Sequence, residues 1–159
     1  MSTIYWNPQY TGPMPTADDT IEFTWGIGSF DTITAKDVVV NGGSIISIGT
    51  LNCTGTVNFN NGSQLTVGNA PTVIDTLIVT GGEIVNFTGG VVVKHLILGD
   101  GSIVNFNGGL TVQDTFEYGG GSQMHVSGHM DVCGTVVTDT GDVSSLWDSE
   151  TKSGTMIFH

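Results

Sequence analysis

The chain of 159 residues contains no arginine and only three lysines, Lys36, Lys94 and Lys152. Set against 15 Asp and Glu, this leaves a formal net charge of −12. A chain without a basic patch has no electrostatic means of holding a phosphate backbone, so nucleic acid is not an expected partner. The same deficit argues against docking on an anionic membrane. No apolar run approaches the ~18 residues that a spanning helix needs. The opening MSTIYWNPQY has neither the basic nor the apolar stretch of a secretory signal, so none is expected. Charged residues are 11% of the chain, less than half the usual share. No segment keeps a sustained helical period, so helix is not expected.

Cysteine is also scarce. Cys53 and Cys133 cannot build a disulfide framework, and neither lies in a Cys-x-x-Cys motif. Both read as small core or corner residues.

What the chain has is glycine, 24 in all, and it recurs at fixed intervals. A Gly followed by a small polar or acidic residue occurs at Gly43-Ser44, Gly62-Ser63, Gly82-Glu83, Gly101-Ser102, Gly121-Ser122 and Gly141-Asp142. Successive anchors stand about 20 residues apart without drift, and such regular punctuation marks a repeat architecture. After each anchor comes a first strand, such as Ser44–Ile48 or Ser102–Phe106. A Gly corner, a second short strand such as Leu110-Thr111-Val112, a polar corner and a third strand such as Leu96-Ile97-Leu98 complete the unit. Period-two alternation points every other side chain inward. In one turn the inward set is Ile46, Ile48, Leu51, Cys53, Val57 and Phe59. In another it is Val104, Phe106, Leu110, Val112, Phe116 and Tyr118. An inward set of this size fills a triangular coil. The expected fold is all-β: a single-domain parallel β-helix of about six turns, with three short strands per turn and turns ~4.8 Å apart. Cys53 and Cys133 then lie four turns apart, roughly 19 Å, too far for an intrachain disulfide.

The ends of such a rod expose strand edges and an open core. Residues 1–24 read as an N-terminal arm and cap, 25–143 as the turns and 144–159 as a C-terminal cap. Trp6, Tyr10 and Trp25 are the expected lid at one end, and Trp147 and Phe158 at the other.

Over residues 31–143 the unit with Gly corners resembles the coils of filamentous-haemagglutinin-like β-helical adhesins. More loosely, it resembles those of phage tail and head proteins. The segment Trp6-Asn7-Pro8, Tyr10, Gly12, Pro15, Asp19-Thr20-Ile21 and Phe23 resembles the one that opens β-helices in many bacterial surface proteins, with Tyr10 where a second Trp is usual. The resemblance implies a right-handed coil. A short, acidic β-helix without an export signal is most similar to a phage virion component.

No catalytic, metal or cofactor site stands out. Asp75 and Asp114 occupy equivalent corners two turns apart, ~10 Å, at or past the upper end for an inverting glycosidase pair, and they read as solvated corner residues. His125 and His129 flank a Gly corner near Asp131, but a metal wants three converging ligands. Asp139-Thr140-Gly141-Asp142 lacks a full set of calcium oxygens and reads as a turn. The second-strand outward column, Thr34, Asn52, Thr72, Val92, Thr111 and Asp131, has no paired threonine ranks of the kind an ice-binding surface would need.

The other two outward columns are more informative. On the first strand the column is Ile45, Gln64, Ile84, Ile103, Gln123 and Val143. On the third it is Val39, Asn58, Ile78, Ile97, Glu117 and Val137. Ladders of apolar residues on two faces of a rod point to burial by partners. The interface expected from them is Ile45, Ile84, Ile103, Val39, Ile78, Ile97 and Val137. The expected function is therefore non-enzymatic: a virion-surface protein, a head decoration or tail component. It assembles as a homotrimer, or docks on a capsid or tail protein, with no cofactor. An extracellular adhesin-like β-helix is the alternative, and a polysaccharide-acting enzyme comes after it.

Overall fold

The computed structural model of the chain describes residues 1–60, 62–68, 72–99, 101–119 and 121–138, together with the course of a strand at 155–158. Among these residues there is no helix. One parallel sheet stacks β3 (Gly26–Ala35), β5 (Ser44–Cys53), β7 (Gln64–Val67), β9 (Ile84–Phe87), β11 (Ile103–Phe106) and β13 (Gln123–Val126). The other begins with β1 (Thr3–Trp6) and β2 (Thr20–Phe23). It continues through β4 (Asp37–Val40), β6 (Thr56–Asn60), β8 (Thr72–Thr80), β10 (Val91–Gly99) and β12 (Leu110–Tyr118). At its far end β14 (His129–Val132) and β15 (Thr135–Thr138) both pair with β12, and β16 (Thr155–Phe158) pairs with β14. Nearly every strand pairs with its equivalent one turn along, Leu51–Cys53 of β5 and Thr72–Ile74 of β8 excepted, and this stacking defines a parallel β-solenoid. Its three walls are called here the first, second and third faces, in chain order within a turn.

The rod has about seven turns, one more than the glycine spacing gives. The arm supplies the difference. Thr3 pairs with Thr20, and Thr20 with Asp37, so β1 and β2 extend the ladder of the third face. Those steps are shorter than the later ones and carry no Gly-polar anchor, so a repeat search built on the anchor does not see them.

The anchor has a conformational cause. Gly43, Gly62, Gly82, Gly101 and Gly121 all sit at positive φ, between 75° and 86°, where a side chain is strained. Each closes the third face and turns the chain into the first, and the next residue points inward. Ser44, Ser63, Glu83, Ser102 and Ser122 thus form a buried polar column. Ser44 donates to the Phe23 carbonyl at 3.2 Å. Glu83 replaces serine in that column and is fully buried.

The core is continuous along the rod. Phe23, Phe59, Phe87, Phe106 and Phe116 are its largest fully buried side chains. Phe87 and Phe106 stack one turn apart, centroids 5.4 Å and planes 2° from parallel. Inward and outward positions follow the expected alternation over nearly all of the described strands. Val104, Phe106, Leu110, Val112 and Phe116 are buried, and Tyr118 is partly so, its hydroxyl donating to the Ser122 carbonyl at 2.6 Å. Thr111, expected outside, is outward but partly covered.

One register expectation is overturned. Thr72 is buried, not outward, because it pairs with Val91, and Val73 is the residue level with Val92. Pairing with the next turn, rather than the count from the previous Gly corner, sets which residues face in, and the shift of one position exchanges the faces.

Cys53 is buried against the Lys36 carbonyl, to which its Sγ lies at 3.1 Å, and burial pushes its thiol up to about 11. Cys133 is exposed, and both are free. A thiol reagent added to native protein is expected to titrate one cysteine, with the second reacting only in denaturant, because the reactive species is an accessible thiolate. Two fast equivalents from the native protein would contradict this burial.

Candidate interaction faces

The first face is built from the first halves of β3 and β5 together with β7, β9, β11 and β13, while the second halves of β3 and β5 belong to the second face. Its outward positions form two columns. One runs Ile27, Ile45, Gln64, Ile84, Ile103 and Gln123 in ladder register. Ile27 is 74% exposed, Ile45 45% and Ile84 37%. The parallel column runs Ser29, Ser47, Thr66, Asn86, Asn105 and His125. Asn105 Nδ2 donates to Asn86 Oδ1 at 2.6 Å, so the amides brace one another along the rod. Among these outward residues there is no Asp, Glu, Lys or Arg, in a chain of net charge −12.

The third face carries Val39, Asn58, Ile78, Ile97, Glu117 and Val137 in register. Val137 is 50% exposed, and Val39, Ile78 and Ile97 are partly covered by their neighbours. The column continues into the arm through Glu22 and Tyr5. Beside it Asn60 donates to Asn41 at 3.1 Å, and Asn41 donates to Glu22 at 2.6 Å.

Charge is gathered elsewhere. Lys36, Asp37, Asp75, Lys94, His95 and Asp114 all lie at the corner between the second and third faces. Lys94 Nζ is 4.0 Å from Asp75, and His95 Nε2 is 3.7 Å from Asp114. Each carboxylate therefore faces a basic side chain from the turn between them, in solvent, where such pairs contribute little. No ladder joins Leu51–Cys53 of β5 to Thr72–Ile74 of β8 among the described residues, and an open hollow of about 380 Å³ lies there, bordered by Asn52, Val73, Asp75 and Lys94. Among the described residues no three His, Cys, Asp or Glu side chains gather as a metal set.

The lid at the N-terminal end is built from Trp6, which is buried and meets Phe23 at 5.4 Å and Phe30 at 5.2 Å, both edge-on. Gly28 makes room for it: a Cβ there would meet the Trp6 ring at 2.7 Å. Tyr10 packs on the core and donates its hydroxyl to the Pro13 carbonyl at 2.8 Å. Trp25 stands 50% exposed, outside the lid. Phe158 lies on β16 level with Val132, while Trp147, Val143 and the Asp139–Asp142 turn lie outside the described residues.

Asp19 ties the arm down. It accepts from the backbone and hydroxyl of Ser2 and of Thr16, at 2.7, 2.7, 3.1 and 2.7 Å. These bonds, the Thr16 hydroxyl first, hold its carboxyl well below the usual carboxylate range. A carboxyl depressed on folding stabilises the fold above its unfolded pKa of about 3.9, and that contribution is lost as pH falls through the lower folded value. Asp19→Asn is therefore expected to melt earlier than wild type at neutral pH. The gap should narrow in acid below about pH 4. Thermal melts at several pH values check this, and a gap that widens in acid would refute it.

Repeat spacing missed Ile27 and Tyr5 as members of the outward columns. For Ile27 the place was marked by Trp25-Gly26, one turn before Gly43-Ser44, with Trp25 where the anchor has its glycine and Gly26 where it has its serine. Comparisons with known protein families, curated proteins and solved structures find no match.

Proposed function

We propose that this chain is a non-enzymatic structural protein, a rigid rod that works by packing its first and third faces against protein surfaces, its own copies included. The observation that carries the reading is the distribution of side chains. Two faces bear apolar ladders in which Glu117 is the one charged residue outside the arm, while most other described charge is gathered at the corner between the second and third faces and in the arm. Depletion of charge with retention of large aliphatics is the composition of an interface core rather than of open surface. In the setting drawn from the sequence resemblance, this is a phage virion component, a head decoration or tail protein, assembled as a homotrimer. An acidic remaining surface would keep such an assembly soluble.

The test is the mass in solution. Sedimentation equilibrium over micromolar concentrations is expected to give a multiple of the 16.6 kDa chain. A monomer at every concentration that also captures no capsid or tail protein would overturn the proposal.

A further inference from the structure

From Val39 to Gln123 the two apolar columns change character at the same turns, whereas one turn earlier Glu22 on the third face is followed by Ile27 on the first, a carboxylate and an aliphatic. Val39 on the third face is followed in the chain by Ile45 on the first, both aliphatic. Asn58 is followed by Gln64, both amides. Ile78 is followed by Ile84 and Ile97 by Ile103, all aliphatic. Glu117 is followed by Gln123, again a polar pair. In every case the second member follows the first by the same short step, about a third of a turn, so the two differ in height along the rod by only ~1.5 Å.

From this matching we infer that the partner of the first face is the third face of a second copy lying parallel at the same level. This rests on the self-association proposed above. Cyclic symmetry about an axis along the rod keeps all copies level, and a contact between two different faces then closes into a ring, of which a trimer is the smallest. Aliphatic rungs meet aliphatic rungs. The Asn58 and Gln64 amides meet one another, each with donors and an acceptor to offer, and the Gln123 amide can donate to the Glu117 carboxylate. Buried polar groups are thereby paired, which is the condition for burying them at all.

Other arrangements fit less well. Two first faces related by a two-fold across the rod, fully overlapped, set Gln64 against Ile84 and Gln123 against Ile27. Sliding them to match leaves Ile27 and Ile45 without a partner. Area points the same way. Six rungs of four residues cover about 29 Å by 13 Å, near 400 Å². A stable contact buries about 800 Å² per partner, which two faces per copy reach and one does not.

Chains with one accessible cysteine test the contact. In a Cys133→Ser background, Ile78→Cys and Ile84→Cys chains are mixed, co-assembled and oxidised, while Cys53 stays buried in the core. The expected product is a disulfide-linked pair of twice the chain mass, formed in the mixture and absent from either chain alone. Both sites face outward, and circular dichroism confirms the fold. Linkage of Ile84→Cys with itself would show like faces in contact and overturn the inference. Linkage of Ile78→Cys to Ile103→Cys in preference to Ile84→Cys would overturn the level register. A wild type that assembles while the mixture fails to link defeats this inference and leaves the proposed function standing, whereas a wild type monomeric throughout defeats this inference, and defeats the proposed function as well if it also captures no capsid or tail protein.

Discussion

Phe106→Ala is expected to lower stability by about 3–5 kcal/mol, the cost of deleting a fully buried ring and leaving its cavity. For a chain of this size the melting temperature should fall by on the order of 10 °C. Phe106 has no solvent exposure, and its ring lies flat on that of Phe87 in the turn below. The cavity cannot collapse easily, because Val104 and Val85 beside the pair are held by ladders on both sides. Asn105→Ala, one residue away, is the control. Its side chain faces outward and loses one hydrogen bond, to Asn86, worth about 1 kcal/mol. The contrast between adjacent positions reads the register directly, since slipping a strand by one residue exchanges its faces. Comparable melts for the two variants, followed by circular dichroism, would contradict the packing described here.

Most of the fold was legible because a solenoid writes its geometry into a one-dimensional repeat. The positive-φ corner at Gly43, Gly62, Gly82, Gly101 and Gly121 fixes the period, and alternation fixes the faces. What could not be read were the places where that code is not local. Thr72 points inward because its partner is Val91, and nothing within its own turn determines that pairing. The arm joins the ladder through shorter steps with no corner glycine, so its strands were hidden from the spacing. Trp6, Tyr10 and Trp25 all resembled lid residues by type, yet Trp6 and Tyr10 pack on the core and Trp25 stands exposed; Gly28, whose missing side chain leaves room for the Trp6 ring, is part of the reason. The outward columns were legible by alternation, but their extension to Ile27 and Tyr5 follows only from the observed register.

The double variant Ile84→Asp and Ile103→Asp is expected to abolish self-association while leaving the rod folded. Ile84 and Ile103 occupy adjacent turns of the first face, paired in ladder register, in the middle of its uncharged columns. Burying an isoleucine side chain contributes about 1.5–3 kcal/mol, so removing two from each contact forfeits about 3–6 kcal/mol. Aspartate then adds a charge that must be desolvated with no cation opposite it, at several kcal/mol more. The third-face column inferred to lie opposite carries no Lys or Arg to compensate, and the chain as a whole has only three lysines. A loss near 6 kcal/mol raises a dissociation constant by about four orders of magnitude, which converts a micromolar assembly to monomers at any working concentration. On the isolated rod the same changes are surface substitutions, with an effect of about 0.5 kcal/mol each. Circular dichroism should therefore be unchanged while light scattering falls to the mass of one chain. Thr34→Asp on the second face places the same charge outside both columns and should leave the assembly intact. If the double variant keeps the wild-type mass, the columns are ordinary exposed strand residues and the faces do not form the contact. If Thr34→Asp dissociates the assembly as readily, added charge rather than position is responsible, and the assignment of the contact to the first face fails.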